Sequence, residues 1–240
     1  MSRINLSDTT FILPYYMDSP ERYENLCAVY NFLRFRFTTK ILIVRYAGSS
    51  SKIPSSADSL HIAGWNGVFH RTKAINEGIK FVKTPYVGIY DVDCIFNPSA
   101  IASAVQALRD GATLAYPFAG KFVDIDRDYI KEGCIIEHHS YAVNSYGGAC
   151  FLNRAEYIEC GMENENLGDA WCHDDVERYE RVNKLGYKIK RVADGVCYHI
   201  VHPRSEASKS NPSDEEYMKV KGMSKDELLN YIKSWSWLQK

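Results

Sequence analysis

The sequence predicts an α/β fold built on a mostly parallel, twisted sheet flanked by helices. Three observations lead there. Short apolar runs bounded by turn residues alternate with helix-patterned segments through the first half of the chain. The helical segments carry start signals of their own. One apolar run, "YVGIYDVDCIFNP" at residues 86 to 98, ends in two carboxylates, at the kind of strand end where open α/β sheets gather ligands.

In chain order, "TTFILPYY" (9 to 16) and "ILIVRY" (41 to 46) read as buried strands, and Ser19-Pro20 between them opens a helix, giving a β-α-β unit. The Ser-rich stretch 47 to 59 reads as a loop, after which Ile75, Ile79 and Val82 share one helical face. The strand at 86 follows, then a helix from about 98 to 109 and a strand over 112 to 118. The second half is less regular: a polar excursion (119 to 140), "YGGACFLNRAEYIECG", the acidic "WCHDDVERYERVNKLG", and strands at "YKIKRV" and "GVCYHIV". A polar segment from 202 to 217 has the composition of a linker. Ser224 and Glu227 form a capping box that opens a last helix. The expected organisation is one domain, with halves at 1–118 and 119–204 and a tail at 205–240.

Composition narrows the function classes. The 240 residues are 45% apolar, enough for a sizeable core. With 29 basic against 30 acidic residues there is no broad electrostatic footprint for nucleic acid or for an anionic membrane, so no nucleic-acid partner is expected. No apolar stretch reaches the roughly 20 residues that cross a bilayer, and the N-terminus lacks a signal-peptide core, so a soluble cytoplasmic chain is expected. The seven cysteines include no C-x-x-C pair and sit mostly in apolar segments, as reduced buried thiols do.

Residues two apart on a strand share a face, so Asp91 and Asp93 are expected to project together beyond the sheet edge. Two hard oxygens suit Mn²⁺ or Mg²⁺. A second triplet, "VDIDRD" (123 to 128), has the same spacing but lies in a polar stretch, and the first is preferred because it ends an apolar strand. His199 and His202, three apart, can reach one ion if the backbone turns, and imidazole ligands favour Mn²⁺; each is also an ordinary place for a structural histidine. Asp174, Asp175 and Glu177 fall in a helix's first turn, where the macrodipole stabilises carboxylates. Neighbouring acids on a helix diverge, so one can bind a ligand hydroxyl while the other acts as a general base. Trp171 offers a flat face to a sugar ring, and Gly147-Gly148 permits close backbone approach.

The order "PYY", "FHRTKAINEG", "DVD", "YGGACFLNRAEY", "WCHDDVER", "YHIVH" resembles the GT-A glycosyltransferases, most nearly the β-1,4-galactosyltransferase family, over roughly residues 10 to 204. The resemblance implies a GT-A fold with a Rossmann-like nucleotide-sugar-binding half and an irregular acceptor half. It implies that Pro14 and Tyr15 begin the nucleotide pocket and that Phe69 and Arg71 contact uridine and phosphate. Asp93 is then the direct metal ligand, Asp91 supports the nucleotide side and Val92 lies against the ribose. His202 matches the metal-binding histidine, with His199 able to ligate. Gly147 and Gly148 lie beside the donor sugar, Trp171 beneath the acceptor, Asp174 on sugar hydroxyls and Asp175 at the base position. Cys172, His173 and Asp174 depart from the family's residues after the tryptophan. Ser145 stands where a bulkier side chain limits the donor's C2 substituent, and its size leaves room for an N-acetyl group.

The implied activity is inverting transfer of a hexose or N-acetylhexosamine, galactose or GalNAc favoured, from a UDP-sugar to a glycan or lipid-linked acceptor. A lipid-linked acceptor would bring the chain to the membrane's inner face as a peripheral enzyme. Residues 203 to 216 become a lid in this reading. Two alternatives stand beside it. A nucleotidyltransferase making an NDP-sugar would share the sheet and paired acids, but "LPYYMDSPER" has no glycine for the usual phosphate loop. A non-enzymatic sugar- or nucleotide-binding protein of the same fold would bind without turnover.

Overall fold

The computed structural model describes residues 2–47, 51–64, 68–127, 139–142, 144–168, 172–203 and 214–239. Strand β1 (Ile4–Pro14) lies at the centre, paired in parallel with β2 (Phe37–Tyr46) on one side and β4 (Tyr86–Tyr90) on the other. That position buries both faces, which is why Phe11, Ile12 and Leu13 form a continuous apolar run with no alternation. Helix α1 (Pro20–Arg36) joins β1 to β2; Ser19 Oγ accepts from the Arg22 N–H at 3.1 Å and proline fills the first turn.

Beyond β2 the sheet gains β3 (Asp58–Ile62), a strand that starts in the last two residues of the expected loop and runs past it. It has only one buried residue and no long apolar run, so its pairing with β2 rather than its composition makes it a strand. Helix α2 (Arg71–Phe81) buries Ile75 and Ile79, with Val82 at its C-cap. On the far side of β4, β9 (Ala149–Asn153) runs antiparallel, then β6 (Leu114–Tyr116) and β10 (Ile189–Arg191). The full order is β10-β6-β9-β4-β1-β2-β3, mostly parallel as expected, with helix α3 (Pro98–Arg109) packed on it.

A second sheet, absent from the expected organisation, has the order β5-β11-β7-β8: Cys94–Ile95, Val196–Ile200, Lys121–Ile125 and His139–Ala142. Two of its strands come from the excursion that composition marked as polar. In "KFVDI" the alternation is plain once the strand is paired: Val123 and Ile125 are buried while Phe122 and Asp124 face the other way. The strand β1 also starts earlier than expected and stops at Pro14, leaving Tyr15 and Tyr16 beyond it.

At the C-terminus the capping box at Ser224 and Glu227 opens the helix Lys225–Lys233. Another helix, Asp214–Gly222, precedes it and takes the end of the polar segment. Trp235 and Trp237 are 2% and 5% exposed, so the chain end packs into the core. Among the described residues no helix is long and apolar enough to cross a membrane.

Candidate active site

Because β1, β2 and β4 are parallel, their carboxyl ends meet at one edge, and the predicted residues gather there. Strand β4 stops at Tyr90, and Asp91 to Asp93 form a turn closed by the Cys94 N–H donating to Asp91 O at 3.3 Å. The two acids leave the strand on a turn rather than on a strand face, yet their carboxylates stay close: ligand atoms of Asp91, Asp93 and Cys94 all fall within 4.8 Å of one another, as the spacing suggested. Asp91 accepts from Arg71 Nη2 at 2.7 Å. Asp93 has a different partner, its Oδ2 accepting from Arg22 Nη1 at 2.6 Å. Val92 between them is buried.

His202 Nε2 lies 3.1 Å from Asp93 Oδ2, and His199 Nε2 lies 4.0 Å from the same oxygen. Ligand atoms of Asp93, His199 and His202 all fall within 4.8 Å of one another. Each ring has an oxygen acceptor on its other side as well: Asp124 Oδ1 is 2.7 Å from His199 Nδ1, and Pro203 O is 2.7 Å from His202 Nδ1. An imidazole that gives its one N–H to such an outer acceptor presents the Nε2 lone pair on the side of Asp93. Two nitrogens and one oxygen converging in that way call for a cation between them, and the donor set fits Mn²⁺. Burial alone would raise the Asp93 carboxyl, but the charge of the Arg22 guanidinium beside it holds it well below the usual range.

The acidic segment forms the start of a helix, Asp174–Leu185. Asp174 is 4% exposed and pairs with Arg71 Nη1; burial pushes its carboxyl up to about 7 against the pull of Arg71. The Asp175 side chain is 29% exposed, and its Oδ1 takes Arg178 Nη1 at 2.9 Å and Arg71 Nη1 at 3.7 Å. Arg178 is itself buried and forked onto Glu163 at 2.8 and 2.9 Å, and Glu163 also accepts from the Tyr157 hydroxyl at 2.6 Å. Arg71 thus spans the aspartate turn and the acidic helix, bringing Asp91, Asp174 and Asp175 into one constellation.

Both glycines of "YGG" have a structural reason. A Cβ on Gly147 would stand 2.8 Å from Asp175 Oδ2, so only glycine lets that oxygen lie against the backbone. Gly148 has φ +91°, and a Cβ there would meet Cys197 Sγ at 2.7 Å. Half-buried Ser145 caps this turn, its Oγ accepting from the Gly147 N–H at 3.3 Å.

At the nucleotide edge Pro14 ends β1 and Phe69 stacks on Tyr16, ring centroids 6.1 Å apart. Tyr15 is 1% exposed and its ring is inside, so it reaches this edge through its backbone, whose N–H donates to Val44 O at 2.9 Å. The half-exposed ring is Tyr16, a position the sequence reading passed over. Trp171 lies outside the described residues, as do residues 204–213 of the expected lid. Past that segment, Asp214 shares a 2.6 Å hydrogen bond with His173 beside the acidic pair.

Sequence reasoning missed Arg22, Asp124, Arg178 and Glu163. Arg178 was findable, being three and four residues after Asp175 and Asp174 on a predicted helix. Asp124 belonged to the triplet set aside, and the apolar alternation around it was the available signal. Nothing local marks Arg22 or Glu163.

Residues 66–161 match the family model described as Glycosyl transferase family 2. No curated protein matches the sequence. Among solved structures, mannosyltransferase PcManGT from Pyrobaculum calidifontis, in complex with GDP-Man and Mn²⁺, is similar at TM-score 0.53 and 19% identity over 82% of this chain and 58% of its own. The catalytic domain of Drosophila β-1,4-galactosyltransferase 7, in complex with xylobiose, gives 0.55 and 15% over 99% and 84%. GalNAc-T7 with UDP, GalNAc and Mn²⁺ gives 0.62 and 13% over 94% and 50%. The chain spans little more than half the length of the first of these and half of the last. It therefore has the GT-A fold of these structures, and the stretch across its aspartate turn is similar to glycosyl transferase family 2.

Proposed function

We propose that this chain is a cytoplasmic, inverting glycosyltransferase that moves a hexose or N-acetylhexosamine, galactose or GalNAc foremost, from a UDP-sugar to a hydroxyl of a glycan or lipid-linked saccharide. The observation that carries it is the convergence of Asp93, His199 and His202 at the sheet edge, joined through the turn and Arg71 to Asp175. Manganese in the neighbouring structures of the galactosyltransferase and GalNAc-T7 supports Mn²⁺ as the cofactor, and the UDP and UDP-Gal bound in them support the donor class. Residues 1–118 would supply the donor side and 119–204 the acceptor side. The six described cysteines are free, which suits a reducing compartment.

Asp93 and His202 would hold the divalent cation, with His199 as a further ligand. Bound there, the cation would neutralise charge on the departing diphosphate. Arg71 would meet phosphate, and the stacked Phe69 and Tyr16 would offer a flat edge to a base. Asp175 is the base: its Oδ1 is held by two guanidiniums and its Oδ2, against Gly147, takes the proton of the acceptor hydroxyl as the glycosidic bond forms. Asp174, buried and paired to Arg71, keeps that arginine in register and would bind acceptor hydroxyls.

The test is a screen of UDP-sugars for Mn²⁺-dependent UDP release, with and without saccharide acceptors. Turnover of at least one donor is expected, and Asp175→Asn should lower it by about 10²-fold or more while UDP binding persists. A screen with no turned-over donor refutes the class, and an Asp175→Asn variant at full rate refutes the base.

A further inference from the structure

We propose that Asp124 is the positioning residue that makes His199 a metal ligand, and that it thereby sets a preference of this centre for Mn²⁺ over Mg²⁺. The inference rests on the metal reading of Asp93 and His202 given above. Parallel pairing of Lys121–Ile125 with Val196–Ile200 sets Asp124 directly opposite His199, on the same face of the small sheet. The contact is therefore a product of strand register, held from both sides by backbone hydrogen bonds, and its 2.7 Å length is that of a charge-assisted bond. The Phe122 ring, 5.4 Å from the imidazole and tilted by 34°, limits its rotation further.

A carboxylate can only accept, so Asp124 assigns the proton to His199 Nδ1 and leaves the Nε2 lone pair toward Asp93. The two imidazoles are not equivalent in this respect. His202 is oriented by the neutral Pro203 carbonyl, a backbone group no substitution removes, whereas His199 is oriented by an anion. An anionic partner on the outer nitrogen makes the inner one a stronger donor, as in carboxylate–histidine–metal arrangements generally. The second nitrogen ligand matters to the choice of ion: Mg²⁺ favours oxygen and gives up its water reluctantly, while Mn²⁺ accepts imidazole. Without Asp124 the His199 ring is free to turn, and the centre falls back to one carboxylate and one imidazole.

The experiment titrates Mn²⁺ alone, and Mg²⁺ alone, into the full chain without nucleotide. Wild type, Asp124→Ala, Asp124→Asn, His199→Ala and the double Asp124→Ala/His199→Ala variant are compared. Asp124→Ala should weaken Mn²⁺ binding by about 10- to 100-fold with a smaller effect on Mg²⁺. Asp124→Asn, which keeps a neutral acceptor in place, should fall between it and wild type. In the His199→Ala background the Asp124→Ala change should cost nothing more, since it acts through that ring. The ¹⁵N shifts of His199 in the metal-free protein should report Nδ1–H in wild type and lose that preference in Asp124→Ala.

Equal Mn²⁺ affinity of Asp124→Ala and wild type overturns the proposal, as does an equal loss with His199 already removed. If Asp124→Ala fails to fold, unchanged Mn²⁺ affinity in Asp124→Asn overturns it instead. Wild type that binds no Mn²⁺ refutes the metal reading itself and the proposal with it, an outcome distinct from either.

Discussion

The aspartate turn and the acidic helix both set carboxylates against arginines, yet they treat them in opposite ways. At Asp93 one arginine and two imidazole nitrogens crowd a single carboxylate oxygen, and the carboxyl is held well below its ordinary range. At Asp174 the carboxylate is equally buried, but burial outweighs its arginine and pushes it up to about 7. Behind the acidic helix lies a closed chain, Glu163 to Arg178 to Asp175, with nearly every oxygen matched to a donor. In the proposed reading the first region exchanges one cation for another, while the second holds one geometry. Residue types alone do not separate them; the partners and their stoichiometry do.

The largest effect should come from breaking the closed chain. Arg178→Met strands the buried Glu163 charge and should cost about 3–5 kcal/mol in denaturant unfolding, the scale for losing one partner of a buried pair. Arg178→Lys should recover only part of it, because an ammonium cannot reproduce the fork onto Glu163. A loss below 1 kcal/mol would mean that this region is not locked.

The exchangeable side should respond in the other direction. Arg22→Gln removes the cation that shares Asp93 Oδ2, so Mn²⁺ alone should bind more tightly, by about tenfold given the charge separation involved. Weaker Mn²⁺ binding in a calorimetric titration would show that Arg22 supports the ion rather than competing with it.

A further effect is a change in pH slope. The Asp174 carboxyl rises from its ordinary 3.8 to about 7 in the folded protein, so the folded state holds an extra proton between those values. That contribution is complete below about pH 4 and is lost as pH rises through 7. Asp174→Asn should flatten the fall in unfolding free energy over this window, measured by urea titration at several pH values. An unchanged slope would place the raised carboxyl elsewhere.

Much of this was legible from sequence. Helix starts at Ser19-Pro20 and Ser224 and the strand at Tyr86 carry local signals, because caps and apolar runs are written within a few residues of where they act. The acids at 91, 93, 174 and 175 and the histidines at 199 and 202 stand out by type and spacing, and the fold brings all of them to one edge. Less legible were β3 and the small sheet, whose strands are made by pairing more than by composition. Asp124 was set aside for its polar neighbours, although those neighbours mark a half-exposed strand. Tyr15 and Tyr16 could not be told apart, since which ring turns inward depends on where β1 ends.

By itself the sequence determined the alternation of elements, the class of sheet and the residue types that could carry metal and acid–base chemistry, because these depend on periodicity and on side-chain chemistry. Only the tertiary structure decided which carboxylate met which cation. Asp93 and His202 are 109 residues apart, Arg71 and Asp174 are 103 apart, and Asp124 and His199 are 75 apart. Contacts at such separations are fixed by strand order and register, and no local pattern encodes them.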